Sequence, residues 1–334
     1  MSREFKIPLV NSHAHAAMTA FRDLAEDLPL NKWLNDFIWP AEKKQVNPQF
    51  VYKETKKAIA EMKKNGIGAF ADMYFFEEEV ARAAIELKMP VVLGEGILDF
   101  PTPSAKTPEE ALRKTEKLLQ KYKNHPLVSV SVAPHSIYAV CGKNIQKAKM
   151  LAKKYKAIMQ IHTAETKKEF DDCRKKNKKT PVEYLNSLGV LDEKTVLIHC
   201  VWVTDGDIDL IKKRKANVVH CPLSNLKLGS GIMPLHKFLA KGVTVALGTD
   251  GSASSNRLDI WEAGKMAALL QKGTNLDSTL IPVEKTLEMM TINGMEILGL
   301  KEIAGKSLVG WKKELKKAKN LADLYYLNAN EIKF

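Results

Sequence analysis

Eight short apolar runs separated by long charged stretches constrain this chain more than any other feature. The runs cover residues 8–15, 68–74, 90–98, 128–135, 158–162, 195–200, 217–221 and 243–250, and each is rich in Val, Ile, Leu or Ala. Such a run reads as a strand buried on both faces, because a half-exposed strand alternates apolar with polar residues. The stretches at 78–88, 108–122, 144–155, 205–214 and 233–241 carry apolar residues three and four apart among lysines and glutamates, the spacing of one helix face. Strand and helix in regular alternation predict a parallel sheet wrapped by helices, and eight such units predict closure into a (β/α)8 TIM barrel. An open doubly wound sheet shares the alternation, so the placement of polar residues decides. His13, His15, Glu95, His135, His162, His199, His220 and Asp250 all fall near the C-terminal ends of their runs, and in a barrel those ends converge on a single mouth. After residue 250 the pattern predicts a loop, helices over 258–271 and 283–298, and an irregular basic tail.

A chain of 334 residues with 45% hydrophobic composition can bury a large core, which excludes disorder as the reading. There is no apolar run of membrane-spanning length, and the first six residues lack the apolar stretch of a secretory signal, so a cytoplasmic protein is expected. Four widely spaced cysteines without a CxxC pair predict neither a disulfide framework nor a zinc knuckle. The net charge of +13 raises nucleic acid as a partner, but the lysines cluster in helix-patterned segments (53–64, 114–123, 167–179) and read as solvated outer faces.

Chemistry is concentrated at the run ends. In Asn11-Ser12-His13-Ala14-His15 a spacing of two puts both imidazoles on one face of a strand. His162 ends the fifth run with Glu165 three residues on, His199 ends the sixth, and Asp250 ends the eighth. An aspartate at the end of a buried strand is costly unless a cation or a donor compensates it. Four N and O ligands, His13, His15, His162 and Asp250, suit one divalent metal ion, Zn2+ first and Fe2+ as the alternative. Such an ion lowers the pKa of bound water to roughly 7. Glu165 is then the proton shuttle, and His199 either hydrogen-bonds the attacking water or adds a ligand.

These stretches resemble the amidohydrolase superfamily, in particular the branch that contains methylthioadenosine/S-adenosylhomocysteine deaminases. The resemblance is carried by residues 10–18, 24–28, 133–136, 160–165, 199–201, 220–231 and 248–256 and covers the chain from about residue 8 to 300. It implies hydrolytic removal of the adenine amino group from an adenosine-type nucleoside, with His13, His15, His162 and Asp250 as metal ligands and Glu165 and His199 as the catalytic pair. It further implies that Glu42, following a loop that carries Trp33 and Trp39, holds ribose hydroxyls and that His135 lines the nucleoside pocket. Ser254 either touches substrate or caps the next helix. His220 orders its loop or contacts the base, and Asn225 is read as structural support. The fourth strand ends in His135 and not in a lysine, so the resemblance is to the mononuclear type.

The resemblance also implies a small β-sandwich domain, here minimal or absent. Residues 1–300 are read as the barrel, and 301–334 as a C-terminal extension in which 320–327 is a remnant sandwich strand after the lysine-rich 312–319. No arginine lies between residues 101 and 110, where some relatives place cations for an amino-acid carboxylate. The partner expected is a small nucleoside, with self-association open, no membrane and no nucleic acid. Competing readings are another amidohydrolase reaction, such as guanine, pterin or aminofutalosine deamination or triazine hydrolysis, and a non-enzymatic basic RNA-binding protein.

Overall fold

The computed structural model describes residues 8–300, 302–303 and 306–317. All eight expected runs contain a strand: β1 (Leu9–His15), β2 (Ile67–Asp72), β3 (Val91–Leu93), β4 (Val128–Val130), β5 (Met159–Thr163), β6 (Thr195–His199), β7 (Asn217–His220) and β8 (Val245–Leu247). Parallel pairing runs β1 to β4 in one series and β5 to β8 in another. Two seams join the series. Bridges between Val132 and Met159 and between Ser136 and His162 link β4 to β5, while Asp250–Gly251, just past β8, pairs with Ala14 and His15 of β1. The sheet is therefore a closed eight-stranded parallel barrel. Asn11 clamps the second seam, its amide donating to Thr249 Oγ1 at 2.7 Å and its Oδ1 accepting from Thr249 N at 3.0 Å.

Near-continuous burial along the strands explains their apolar sequences. Leu9, Val10, Val91, Leu93, Ile161, Val196, Leu197, Ile198, Val245 and Leu247 are all fully buried, between the barrel interior and the helical layer. The helices begin where local chemistry satisfies their free N–H groups. Asn47 accepts from Phe50 N ahead of Pro48–Lys64, Thr107 from Glu110 N ahead of Pro108–Lys121, and Thr204 forms a reciprocal capping box with Asp207 ahead of Asp205–Arg214. Their outer faces carry the lysines, many of them beside acids, as in Lys56–Glu86, Lys121–Glu78, Lys154–Glu116 and Lys241–Asp209. Each exposed pair stabilises little, and the lysines so paired are spread over the outer helix faces.

Three segments differ from the sequence reading. The region around Trp33 and Trp39, expected as a loop, is one helical run of three pieces, Leu30–Lys32, Trp33–Ile38 and Trp39–Gln45. Its middle piece is a π-helical turn, wide enough to put Trp33, Leu34 and Ile38 together on the buried side over the barrel mouth. The loop after residue 250 contains a helical turn, Ser252–Ser255. The single helix expected over 283–298 is two, Val283–Met290 and Ile292–Leu298, broken at Thr291 (φ −132°, ψ −94°). The break lets the second helix press Gly294 onto β1, where an added Cβ would lie 2.7 Å from both Ser12 Oγ and Val10 Cγ1.

Beyond the barrel, Glu302–Ile303 pairs antiparallel with Lys306–Ser307, followed by a helix at Leu308–Lys317. Among the described residues there is no second sheet of sandwich type. The strand expected at 320–327 lies outside the described residues.

Candidate active site

The polar residues at the strand ends do converge. His13 and His15 project from β1, His162 from β5 and His199 from β6, and Asp250 sits on the seam that closes the barrel. His13 Nε2 is 3.2 Å from His162 Nε2 and 3.6 Å from Asp250 Oδ1, and His15 Nε2 is 3.0 Å from the same oxygen. Backbone carbonyls dictate which ring nitrogens are free. His15 Nδ1 donates to Met73 O and His162 Nδ1 donates to His135 O, because a carbonyl can only accept. His162 Nε2 therefore faces His13 Nε2, and His15 Nε2 faces the Asp250 carboxylate.

Without an ion the His15 ring carries a proton on each nitrogen, one for Met73 O and one for Asp250; a cation among these atoms would replace the second. The donor atoms of His13, His15 and Asp250 are mutually within 4.8 Å, as are those of His13, His162 and His199. Nitrogen and oxygen donors in this number suit Zn2+ or a similar borderline cation. Electrostatics agree. Burial pushes His13 down to about 4 and His162 well below the usual imidazole range, so both are neutral and free to coordinate. Burial opposes charge on His15 too, but its bond to the Asp250 carboxylate overcomes this and lifts it to about 9. Burial would raise Asp250, yet hydrogen bonds from His13 and His15 hold it well below the carboxylate range.

Close backbone approach makes this geometry possible. At Gly248 a Cβ would stand 2.9 Å from both Cβ and O of His13. The chain also bends sharply at three of the strand ends, with Ala164, His199 and Asp250 in the left-handed region (φ +53°, +75° and +63°). Each costs about 1–2 kcal/mol outside glycine, a strain that concentrates where side chains must be aimed.

Glu165 and His199 face one another across the site, Oε2 to Nε2 3.8 Å, both buried. Burial and the nearby Asp250 charge raise Glu165 to about 8, so its carboxyl holds a proton near neutrality. Two residues that orient this pair were not read from the sequence as doing so. Asn225, taken as structural support, presents Oδ1 2.8 Å from His199 Nδ1. Glu169 accepts from the backbone N of Ala164 and Glu165 at 3.0 and 2.8 Å and so fixes the segment bearing Glu165. The pattern Thr166-x-x-Glu169, with Thr166 capping the helix through Glu169 N, was the available signal. Ser224 likewise holds Asp250, donating to Oδ2 at 2.6 Å.

These groups lie at the base of a cavity lined by His15, His135, His162, Glu165, His199, Asp250 and Ser254 and roofed by the helical run over the mouth. Glu42 lines it too and is buried, not an exposed member of its lysine run; burial raises it to about 7, against the influence of Tyr74 and His15. Tyr74 Oη and Trp33 Nε1, on residues of the same lining, are buried without a hydrogen-bond partner. Ser254 lines the cavity, and its hydroxyl donates to Gly251 O within the Ser252–Ser255 turn; it does not cap the next helix, Ile260–Asn275, whose N-cap is Asp259. Two strand-end residues do not join. Glu95 turns to Glu77 N and Ser104, and buried His220 is absent from the lining.

The amidohydrolase family model matches residues 8–312. The chain belongs to the amidohydrolase family. Among its relatives is a 5-methylthioadenosine/S-adenosylhomocysteine deaminase of Thermodesulfovibrio yellowstonii, 44% identical over 306 residues, covering 92% of this chain and 70% of the relative. A 5′-deoxyadenosine deaminase of Methanosphaera stadtmanae is 39% identical over 324 residues, covering 96% and 73%. Among solved structures, an adenosine deaminase from Xanthomonas campestris with bound zinc superposes on this amidohydrolase with a TM-score of 0.91 at 33% identity, covering 97% of this chain and 76% of that one.

Proposed function

We propose that this amidohydrolase removes the amino group of the adenine ring from adenosine-type nucleosides, with water as co-substrate and ammonia and the inosine analogue as products. The observation that carries the reading is the Glu165–His199 pair, 3.8 Å apart, beside a converging set of metal-ligand side chains at the base of a lidded cavity. The names of the relatives support adenosine-type substrates. We place the enzyme in the cytoplasm, where unpaired cysteines are stable.

His13, His15, His162 and Asp250 are the residues that would hold the metal, zinc in the first place. When bound, a divalent cation supplies Lewis acidity that makes water nucleophilic near neutral pH. Glu165 relays protons: its carboxyl gives one to ring N1, the carboxylate so formed takes one from the attacking water and passes it to the departing amine, and it recovers its own as the new hydroxyl collapses to the carbonyl. His199, with its Nδ1 proton given to Asn225, turns Nε2 toward the same reacting centre. Glu42 accepts hydrogen bonds from the ribose diol, a demand that a free base does not meet.

Ammonia release from a panel of adenosine derivatives and free bases by zinc-loaded protein tests the reading. Glu165→Gln should lower kcat about 10²–10⁴-fold with metal content unchanged. Glu42→Gln should raise KM for nucleosides; full activity in that variant on the best substrate would point instead to a substrate without ribose.

A further inference from the structure

Deamination fixes one end of the nucleoside, since its reacting carbon must sit by Glu165 and His199. The other end can then be followed along the cavity wall. Glu42 and Tyr74 come next, and the Phe75 ring lies 4.9 Å from that of Tyr74. Phe75 and Leu98 flank Gly96, and above them the lid residue Trp39 meets Phe100 edge-on at 5.1 Å. Phe100 is 37% exposed, at the rim.

Among the described residues no lysine or arginine lines the cavity, whose acids and imidazoles are Glu42, Glu165, Asp250, His15, His135, His162 and His199. Polar groups near this wall are already engaged. Glu95 binds Glu77 N and Ser104, and Lys114 donates to Ser104 O and lies 3.4 Å from Glu110. Asp99, next to Leu98, accepts from Cys141 N and Asn144 Nδ2, both at 2.8 Å, and Lys147 pairs with Glu109 at 2.7 Å. A carboxylate arriving here would lose water and meet no lysine or arginine among the described lining residues.

Resting on the deaminase reading, we infer that the 5′ end of the substrate lies against the uncharged wall of Phe75, Leu98, Trp39 and Phe100. The enzyme therefore selects a neutral 5′ group, such as methyl or methylthio, over one ending in an ionised amino acid. A methyl or thioether gains from burial against aromatic rings, whereas an unpaired buried charge is strongly disfavoured.

The test is kcat/KM for ammonia release by the full zinc-loaded chain with 5′-deoxyadenosine, 5′-methylthioadenosine and S-adenosylhomocysteine. The expected value for S-adenosylhomocysteine is at least about tenfold below both others, a difference within reach of one unmatched group. Equal or higher efficiency on S-adenosylhomocysteine overturns this inference and leaves deamination standing. Absence of ammonia from all three overturns deamination and the inference with it. In Phe100→Arg, a cation added at the rim should raise the efficiency ratio of S-adenosylhomocysteine to 5′-methylthioadenosine about threefold or more. An unmoved ratio overturns the placement of the 5′ group.

Discussion

Asn225 Oδ1 lies 2.8 Å from His199 Nδ1, and this contact decides which nitrogen of the imidazole faces the substrate cavity. The amide oxygen can only accept, so the proton resides on Nδ1 and Nε2 is turned toward Glu165. In Asn225→Ala the ring is free to rotate and to exchange tautomers. The expected outcome is a fall in kcat of about 10–100-fold with KM changed little, while Asn225→Asp, which keeps the acceptor, recovers part of the loss. Steady-state kinetics on both variants, with metal content measured alongside, check this.

Chelation should both inactivate and loosen the protein. A bound ion would tie His13, His15, His162 and Asp250 to one centre, and its removal leaves these side chains, drawn from three parts of the barrel, without that tie. A ligand that binds only the folded chain adds about 2.7 kcal/mol at a hundredfold excess over Kd. Thermal melts with and without added zinc should show a higher Tm in its presence, with one equivalent retained after gel filtration. An unchanged melting curve would contradict the site.

Gly248→Ala separates site geometry from global stability. The added methyl meets His13 Cβ and backbone at 2.9 Å and must push that strand end outward. A cost of about 1–3 kcal/mol is expected for such overpacking, yet retained metal and activity should fall far more than the melt suggests. Elemental analysis of the folded variant is the measurement.

Stability against acid should depend on a pair remote from the cavity. Lys149 Nζ, nearly buried, lies 2.5 Å from Asp192 Oδ1. Burial tends to raise Asp192, but the bond and charge of Lys149 outweigh it and its carboxyl titrates below its usual 3.8. Burial lowers Lys149 despite the same partner, so the ammonium bears the larger desolvation. The unfolded chain therefore binds the aspartate proton more readily. The stabilisation is complete above about pH 4 and disappears as pH falls through the folded value. Asp192→Asn should cost about 1–3 kcal/mol at pH 7, a range set by its partial exposure, and should flatten the acid limb in urea titrations.

Strands and ligand-type side chains were legible because each depends on local pattern. Buried strands must be apolar, and an imidazole or carboxylate ending one is conspicuous, as with His162 and Asp250. What escaped was set by tertiary contact. Asn225 and Glu169 are ordinary helix-start residues until β6 and the Glu165 segment pack beside them. Glu95 has the right position but the wrong rotamer, drawn off by Glu77 N and Ser104. The lid was hidden because a π-helical turn spaces Trp33, Leu34 and Ile38 differently from an ordinary helix face.

The pairing of Ala14 with Asp250 and His15 with Gly251 has a bearing on how the polypeptide is made. On a translating ribosome one of the two flanking neighbours of β1, Asp250–Gly251, is polymerised only after every other strand of the barrel. Until then Ala14 and His15 present an unpaired edge that chaperones or premature partners could occupy, so final closure of the ring and assembly of the catalytic centre coincide in a single late event.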